Sequence, residues 1–504
     1  MSTQHRDESD TAAVEFARTL ARRLAEYGDR PCIEFERRWY SGAQVGDYIT
    51  RIAAALDAVG VRPHERVGVV VRNRLPHAAA VLGFLTELRP VVMINSYQSA
   101  AAIARDIEQS ALVAVVADRQ DWTEPVVAAC EAGGVAGVAI SIEEPAVAAV
   151  TAGDRSRIDH AAVERSAPGL HILTSGTTGP PKRVPIPLSA LGHTVRSMTG
   201  GATAAAPDDP PELVYWPFGS IGICQLLAAP FLGKRMVLLE KFTVPDWVRA
   251  VRTYRVRRTG VQPTIVRMIL EAEVPPEDLA SLDYLPGGSG PLEPELREEF
   301  ERRYGIPLLW AYGATEFAGS VCAWTPDLHE KFGRAKAGSV GRPLPGVLVR
   351  VVDPDSGTEV EAGASGLLEA QVAALGATWV RTTDLATVDA DGFVTIHGRA
   401  DGAINRGGFK ILPETVRNVL LTHPAVRDAC VVGVADHRLG QVPFAAVQPR
   451  QGAPAPTETE LLELVRDWLP GHHVPVSIVI VDELPRNAAL KARTDAVAAL
   501  YRPR

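Results

Sequence analysis

The chain alternates short runs rich in β-branched residues with longer alanine-rich stretches, and this alternation constrains its fold more than any other feature. The first four apolar runs cover residues 67–71, 90–94, 112–117 and 135–140. Strands that are apolar on both faces and alternate with helices are typical of a parallel sheet covered by helices. The pattern resumes at 235–239, 260–262 and 307–312. We therefore predict an α/β protein.

The length of the chain predicts more than one domain, because 504 residues exceed what one hydrophobic core holds. Between 343 and 369 the sequence becomes β-rich and turn-rich. Beyond residue 400 a compact segment predicts helices at 413–421 and 458–468 and strands at 429–434, 443–448 and 477–481. We expect a large N-terminal domain (1–400), with mixed or parallel sheets, helices and a β-rich subdomain, and a small α+β domain (401–504). The hinge is placed near Asp401.

Charge and composition exclude several classes of partner. The net charge of −8 argues against nucleic acid, and no apolar run reaches the length of a membrane span. The first ten residues are polar and do not resemble a signal peptide. The five cysteines are scattered without a C-x-x-C pair, which favours free thiols. These features predict a cytoplasmic protein.

A loop of hydroxyl residues and glycines ending in a lysine has the composition of a phosphate-binding site. It runs from Thr174 to Lys182 and follows an apolar stretch. Glycines let backbone N–H groups approach phosphate oxygens, hydroxyls donate further hydrogen bonds, and the lysine adds positive charge. The spacing differs from the Walker loop. Taken alone, the same stretch is equally typical of a flexible surface loop.

Seven further segments follow this loop in a fixed order, and together they carry a family resemblance. In sequence letters the set is TSGTTGPPK (174–182), PGGSGPL (286–292), AYGATE (311–316), GSVGRP (338–343), RTTD (381–384), GRAD (398–401), GGFK (407–410) and LPRN (484–487), with Lys491 beyond. With these segments the chain resembles the acyl-adenylate-forming superfamily of acyl-CoA synthetases, nonribosomal peptide adenylation domains and luciferases. The resemblance implies a large domain with a small mobile lid.

The resemblance also implies a two-step reaction that uses ATP and Mg²⁺. A carboxylate attacks the α-phosphate of ATP, which gives an acyl-AMP and pyrophosphate, and a nucleophile then displaces AMP. In-line attack at phosphorus builds negative charge on oxygen, so catalysis depends on positioning and electrostatic stabilisation. Residues that would hold the β- and γ-phosphates and help pyrophosphate leave are Ser175, Thr177, Thr178 and Lys182. The further nucleotide-binding residues of this loop are Thr174, Gly176 and Gly179.

The other nucleotide contacts are likewise assigned by the resemblance. Thr315 would bind the α-phosphate and Glu316 would ligate Mg²⁺, which prefers oxygen ligands. Asp384 and Arg399 would hold the ribose hydroxyls. The residues expected around the adenine are Gly288, Ser289, Gly290, Tyr312 and Gly313. Without the family order, Glu316 could be a surface carboxylate, Asp384 could cap a turn and Tyr312 could be core.

Lys491 is the residue that the resemblance places between the carboxylate and the α-phosphate. A lysine there would neutralise two anions that repel each other. It can act only when the small domain closes over the large one, which makes the hinge at Asp401 important. In the second pose Gly407 and Gly408 would line an acceptor tunnel, although a plain glycine turn fits them too. A solvated C-terminal lysine is the alternative for Lys491.

The carboxylic acid should bind in an apolar pocket near the reaction centre. The residues expected there are Tyr215, Trp216, Phe218, Ile221, Gly288, Gly313 and Ala314. Ligand pockets are mostly apolar with few polar groups, so these residues favour an aromatic or hydrophobic acid. The same aromatic residues would also make good core.

Four positions depart from the family pattern, and they cluster in the acid pocket and the second step. Arg183 follows the loop lysine where glycine is usual, and Gly219 stands where many relatives have histidine. Asn405 replaces a lysine used in the second half-reaction, and Leu490 replaces a glycine. Adenylation is therefore predicted more firmly than the acceptor.

For the acceptor, coenzyme A would make the protein an acyl-CoA ligase. Transfer to a small amine would make it a stand-alone amide bond synthetase. An oxygenase of the luciferase kind and a nucleotide-binding protein without catalysis are further alternatives. The joint presence of Lys491, Glu316 and Asp384 argues against the last of these.

Overall fold

The computed structural model describes most of the chain. The described residues are 3–143, 146–158, 163, 167–174, 182–199, 205–206, 208–314, 317, 319–400, 402–406, 409–436, 439–452, 454–469, 471–487 and 490–502. The strands are β1 (Pro31–Phe35), β2 (Arg38–Ser41), β3 (Val67–Val71), β4 (Pro90–Asn95), β5 (Ala114–Asp118), β6 (Ala136–Ile140), β7 (Val147–Thr151), β8 (Gly169–Thr174), β9 (Lys182–Pro187), β10 (Glu212–Val214), β11 (Met236–Leu238), β12 (Leu285–Gly287), β13 (Leu308–Ala314), β14 (Gly319–Ala323), β15 (Arg342–Pro343), β16 (Val347–Val352), β17 (Gly366–Val372), β18 (Val380–Val388), β19 (Val394–Arg399), β20 (Ile404–Arg406), β21 (Phe409–Ile411), β22 (Val426–Asp436), β23 (Gly440–Pro449) and β24 (Ile478–Ile480).

Helices alternate with these strands through most of the chain. They are α1 (Thr3–Tyr27), α2 (Gly42–Ala58), α3 (Leu75–Thr86), α4 (Ala100–Glu108), α5 (Glu124–Gly133), α6 (Leu188–Thr199), α7 (Ser220–Leu232), α8 (Val244–Tyr254), α9 (Pro263–Glu271), α10 (Pro294–Tyr304), α11 (Pro326–Phe332), α12 (Pro413–Leu421), α13 (Glu458–Trp468) and α14 (Thr494–Ala498).

The largest sheet has seven strands in the order β7-β6-β5-β3-β4-β8-β9. The five central strands are parallel, and β7 and β9 pair antiparallel at the two edges. Val67, Val69 and Val70 of β3 are fully buried, as expected for a strand covered on both faces. The predicted α/β class is confirmed.

Three smaller sheets complete the large domain. Their orders are β10-β11-β1-β2, β12-β13-β14-β15 and β16-β17-β18-β19. The third is wholly antiparallel and forms the β-rich part that the sequence predicts after residue 343. Residues 260–262, predicted as a strand, make only one bridge, between Val261 and Gly287. The reason is local, because Pro263 starts α9 at once.

The C-terminal segment folds around a hydrophobic core of its own. Helices α12 and α13 cover a sheet of order β21-β20-β23-β22, with β24 beside β23. Val416, Leu461 and Val447 are completely buried in this core. The separate small α+β unit agrees with the predicted fold class. Asp401 lies outside the described residues, so the position of the hinge stays a prediction.

Two smaller expectations concern thiols and membranes. All five cysteines are buried and free. Burial raises the pKa of the Cys32 thiol to about 12, so it stays protonated. Within the described ranges, no helix combines the length and the apolar character needed to cross a bilayer.

Candidate active site

Residues from both domains line one cavity of about 2340 Å³. Ten of the residues predicted from the sequence lie on its wall, namely Trp216, Gly288, Ser289, Gly290, Tyr312, Gly313, Ala314, Asp384, Arg399 and Lys491. They come from segments that are widely separated in the chain. The fold therefore brings together the predicted adenine, ribose and acid contacts and the C-terminal lysine.

The glycine-rich segment after β12 lies flat against β13. A Cβ on Gly287 would sit 2.0 Å from the ring of Trp310, and one on Gly288 would sit 3.0 Å from the backbone oxygen of Ala311. The indole N–H of Trp310 donates to the backbone oxygen of Gly290 at 2.9 Å. The glycines thus allow this backbone to pack closely against β13 at the cavity wall, where a planar ring could lie against it.

Tyr312 and Asp384 are joined by a hydrogen bond on the cavity wall. The tyrosine hydroxyl donates to Oδ2 of the aspartate. Burial first, and then the negative charge of Asp384, raise the pKa of Tyr312, so its hydroxyl stays protonated and can donate. The bond fixes one carboxylate oxygen, and no hydrogen bond from the described residues engages the other.

Asp384 stands opposite Arg399 in the register of β18 and β19. Arg399 Nη2 donates to the hydroxyl of Thr383 at 2.7 Å. Glu414, at the start of α12, also lines the cavity, and burial raises the pKa of its carboxyl. Its Oε2 is buried without a hydrogen-bond partner among the described residues. Sequence reasoning did not single out Glu414.

Lys491 reaches the cavity on a tight loop. Its backbone N–H donates to Oδ1 of Asn487 at 3.0 Å, and its carbonyl accepts from the Asn487 N–H at 2.8 Å. The side chain is open to the cavity, yet protein atoms crowd it on the other sides. This desolvation, and then the charge of Arg399, lower its pKa. An anion in the cavity would relieve both effects.

Leu490 explains how this loop tolerates the absence of the usual glycine. Its φ is +58°, in the left-handed region that glycine favours. Its carbonyl accepts from Arg486 at 2.8 Å, and its side chain packs against a core cluster of the large domain. The glycine-like turn is retained, and leucine adds a contact between the domains.

Ion pairs hold the small domain in the pose that presents Lys491. Arg417 contacts Glu293 of the large domain at 2.9 Å and Asp428 of its own domain at 2.7 Å. Burial alone would raise the pKa of Asp428, but three guanidinium groups, chiefly those of Arg417 and Arg486, lower it to about 2. Arg427 forms a bidentate pair with Glu271 of the large domain.

Most of the predicted phosphate loop lies outside the described residues. Thr174 ends β8 and pairs with Lys182 at the start of β9, so the loop connects this antiparallel pair. The predicted functional residues that lie outside the described part of the chain are Ser175, Gly176, Thr177, Thr178, Gly179, Thr315, Glu316, Asp401, Gly407 and Gly408. Their roles stay predictions.

Arg183 does not extend the phosphate loop. Its guanidinium pairs with Asp106 of α4 and donates to the backbone oxygens of His171, at 3.1 Å, and Met93, at 3.3 Å. It therefore ties the sheet edge to a helix. This departure from the family pattern has a structural reason.

The predicted acid-pocket residues divide into two groups. Trp216, Gly288, Gly313 and Ala314 line the cavity. Tyr215 and Phe218 are buried in hydrophobic core clusters instead, and the Tyr215 hydroxyl donates to the backbone oxygen of Gly260. The side chain of Ile221 lies outside the described residues.

His193 of α6 lies on the cavity wall, and sequence reasoning missed it. Gln225 of α7 also lies there, at the end of the stretch 215–225 from which substrate recognition is expected. Gln225 carried a signal, since it is a lone amide in the otherwise apolar helix SIGICQLLAAPFL. His193 carried none that separates it from an ordinary surface histidine.

Comparison with known proteins gives matches over nearly the whole chain. A 4-coumarate–CoA ligase-like protein from Oryza sativa subsp. japonica is 30% identical, covering 90% of this chain and 86% of its own. A 2-succinylbenzoate–CoA ligase from Bacillus mycoides is 28% identical, covering 92% of this chain and 94% of its own. The solved structure of the amide bond synthetase McbA from Marinactinospora thermotolerans superposes with a TM-score of 0.78 at 25% identity, covering 97% and 100%.

The fold and these relatives define an AMP-forming ligase. Family models identify the two parts of the chain. Residues 20–371 match the AMP-binding enzyme family, and residues 415–491 match the AMP-binding enzyme C-terminal domain. The chain belongs to the AMP-binding enzyme family, and the predicted resemblance is confirmed.

Proposed function

We propose that the protein activates a carboxylic acid with ATP and transfers the acyl group to coenzyme A. In the first step a carboxylate oxygen attacks the α-phosphorus and pyrophosphate leaves. In the second step the thiol sulfur attacks the acyl carbon, its proton is released and AMP leaves. The observation that carries the proposal is Lys491, which lines the same cavity as Tyr312, Asp384 and Arg399.

Lys491 supplies the electrostatic part of the first step. The attacking carboxylate and the phosphate are both anions, and a positive charge between them lowers the cost of their approach. The lowered pKa of this lysine means that its charge is poorly solvated without a ligand. Its charge is thus better stabilised when an anion is bound.

The adenosine part of ATP would lie between the flat backbone at Gly288 and the ring of Tyr312. Asp384 would accept hydrogen bonds from the ribose hydroxyls, because Tyr312 occupies only one of its oxygens. Among the described residues no cluster of three His, Cys, Asp or Glu side chains could hold a metal ion. The Mg²⁺ proposal therefore depends on Glu316 together with the phosphate oxygens.

An amide bond synthetase is the second candidate. Asn405 stands where several relatives use a lysine in the second half-reaction, and the McbA structure covers 97% of this chain. Mass spectrometry of the products formed with coenzyme A and small amines in competition separates the two. A thioester supports the first proposal, and an amide as the main product supports the second.

The first half-reaction is tested by acid-dependent exchange of labelled pyrophosphate into ATP, with a broad panel of aromatic and aliphatic acids. Lys491→Ala should lower the exchange rate by about 10³-fold, in the range found when one charge-stabilising group is removed. The matched control is Lys336→Ala, because Lys336 is paired with Asp389 at 2.7 Å and does not line the cavity.

Two results would count against this proposal. If no acid of the panel supports exchange, the enzyme does not adenylate acids of these classes. If Lys491→Ala exchanges at the rate of the Lys336→Ala control, the role given to Lys491 is wrong.

A further inference from the structure

Helices α6 and α7 place polar side chains on the wall of the cavity, among them His193 on α6 and Gln225, which is the polar residue on an otherwise apolar face of α7. Helices α6 and α7 pack against each other. The cavity-facing side of α7 consists of Gln225, Ala228 and Leu232, spaced by three and four residues along one helix face. His193 lies on the side of α6 that faces the same cavity.

We propose that Gln225 and His193 bind a polar group of the acid distant from its carboxylate, so that the substrate is an aromatic or alicyclic acid bearing an O–H or N–H substituent. This inference rests on the proposed function and names its substrate class.

The carboxamide of Gln225 has hydrogen-bonding capacity that the protein does not use. Its Oε1 is buried and has no partner among the described residues. The backbone oxygen of the neighbouring Gly260 is already occupied, since it accepts from the Tyr215 hydroxyl and, at 3.1 Å, from the indole N–H of Trp216. A carbonyl oxygen has two lone pairs, and both are taken.

The amide of Gln225 lies close to Gly260 on the cavity wall. A Cβ on Gly260 would lie only 2.7 Å from its Nε2 and 3.3 Å from Nε1 of Trp216. A buried polar atom left without a partner costs about 1–3 kcal/mol. A half-turn of the amide presents either its oxygen or its nitrogen to the cavity, so a ligand O–H or N–H can supply the missing partner.

The imidazole of His193 suits the same type of ligand. Burial first, and then the charge of Arg196, lower its pKa, so the ring is neutral near pH 7. A neutral imidazole has one donor and one acceptor nitrogen and complements a hydroxyl or an indole N–H. Trp216 supplies apolar surface on the wall of the same cavity.

The test compares acids that differ only in the polar group. Two such pairs are 4-hydroxycinnamate with 4-methylcinnamate and indole-3-acetate with naphthalene-1-acetate, within a wider panel of matched pairs. The measured quantity is kcat/KM for acid in pyrophosphate exchange. For the wild type we expect the polar member to be preferred by about 10- to 100-fold, the effect of about one or two unmade hydrogen bonds.

Variants of the two residues show which of them recognises the polar group of the acid. Gln225→Leu should reduce the preference to within about threefold, and the nearly isosteric Gln225→Met guards against a folding defect. Leu232→Met, on the same helix face, is the control and should keep the wild-type preference. His193→Phe should lower the preference less than Gln225→Leu.

The outcomes separate this inference from the proposed function. Exchange with apolar acids that equals exchange with their polar partners overturns the inference and leaves adenylation intact. An undiminished preference in both Gln225 variants overturns it as well. Absence of exchange with every acid removes the proposed function itself.

Discussion

The two ends of the cavity are built in different ways. The end that we propose binds the nucleotide (the nucleotide end) consists of backbone packed closely at glycines and of one hydrogen-bonded pair, Tyr312 with Asp384. The end that we propose binds the acid (the acid end) consists of side chains on two packed helices, where Oε1 of Gln225 has no hydrogen-bond partner among the described residues. The first end is fixed by close backbone contacts that tolerate no change. The second can vary its side chains while the fold stays the same, which is where specificity can evolve.

The largest effect is expected from a change in the backbone contacts of the nucleotide end. A Cβ on Gly313 would lie 2.2 Å from the backbone oxygen of Gly319, and backbone cannot move aside as a side chain can. Gly313→Ala should destabilise the protein by about 3 kcal/mol and reduce exchange at least in proportion. Urea unfolding and the exchange assay measure the two effects.

Gly338→Ala is the matched control for Gly313→Ala. Gly338 also lines the cavity, but its Cβ would meet no atom within 4 Å. We expect the free energy of unfolding of Gly338→Ala to stay within about 0.5 kcal/mol of that of the wild type. Equal stability of the two variants would mean that the nucleotide end is not fixed by this contact.

A smaller effect at the same end is expected from the Tyr312 hydroxyl. Tyr312→Phe removes the donor that orients Asp384 and should raise KM for ATP about tenfold, the cost of about one hydrogen bond to a charged group. The increase in KM should be smaller with an ATP analogue that lacks both ribose hydroxyls, because Asp384 then has no hydroxyl to bind.

The control is a second tyrosine of the cavity wall. Tyr284→Phe removes a hydroxyl whose partner is Arg258, at 3.3 Å, and should leave KM for ATP unchanged. If Tyr312→Phe raises KM equally for ATP and for the analogue, the tyrosine contributes packing only and does not orient Asp384.

The contrast between the two ends also explains how much could be predicted from sequence. The glycines of the nucleotide end stand out in the sequence, because each close backbone contact requires a glycine at one spacing, as at 286–290 and 311–313. Their role in nucleotide binding stays a prediction. The parallel sheet was predictable for a similar reason, since β3 to β6 read as continuous apolar runs.

The acid end was less predictable, since an aromatic residue serves a pocket and a core equally well. Trp216 and its neighbour Tyr215 are buried in the same core cluster, but only Trp216 also lines the cavity, and nothing in the sequence separates them. The contacts between the domains, such as Arg417 with Glu293, join residues that are far apart in the chain and carry no local signal. Arg183 looked atypical in the sequence but has a structural role.

In the loop that presents Lys491, the left-handed backbone at Leu490 is unfavourable, whereas the packing of its side chain is favourable. Leu490→Gly and Leu490→Ala both remove the contact with the large domain, but only glycine relieves the left-handed φ of +58°. The glycine variant should therefore be about 1 kcal/mol more stable than the alanine variant in urea unfolding. Equal stabilities would show that the turn is not left-handed in solution.

The smallest effect concerns the charge of Lys491 itself. Its pKa is lowered in the fold, so the unfolded chain binds more protons, and the stability of the ligand-free wild type should rise with pH between the folded and the unfolded pKa. Lys491→Met should therefore have a slightly higher Tm than the wild type at pH 7, and the difference should vanish at strongly alkaline pH.

Lys336→Met should behave in the opposite way. Hydrogen bonds to Asp389 and Asp391 raise the pKa of Lys336, so its contribution is favourable below the unfolded pKa and is lost as pH rises through the folded one. This variant should have a lower Tm than the wild type at pH 7. If Lys491→Met were also less stable than the wild type, the charge of Lys491 would be well solvated without a ligand. The loop that carries Lys491 would then not favour the binding of an anion.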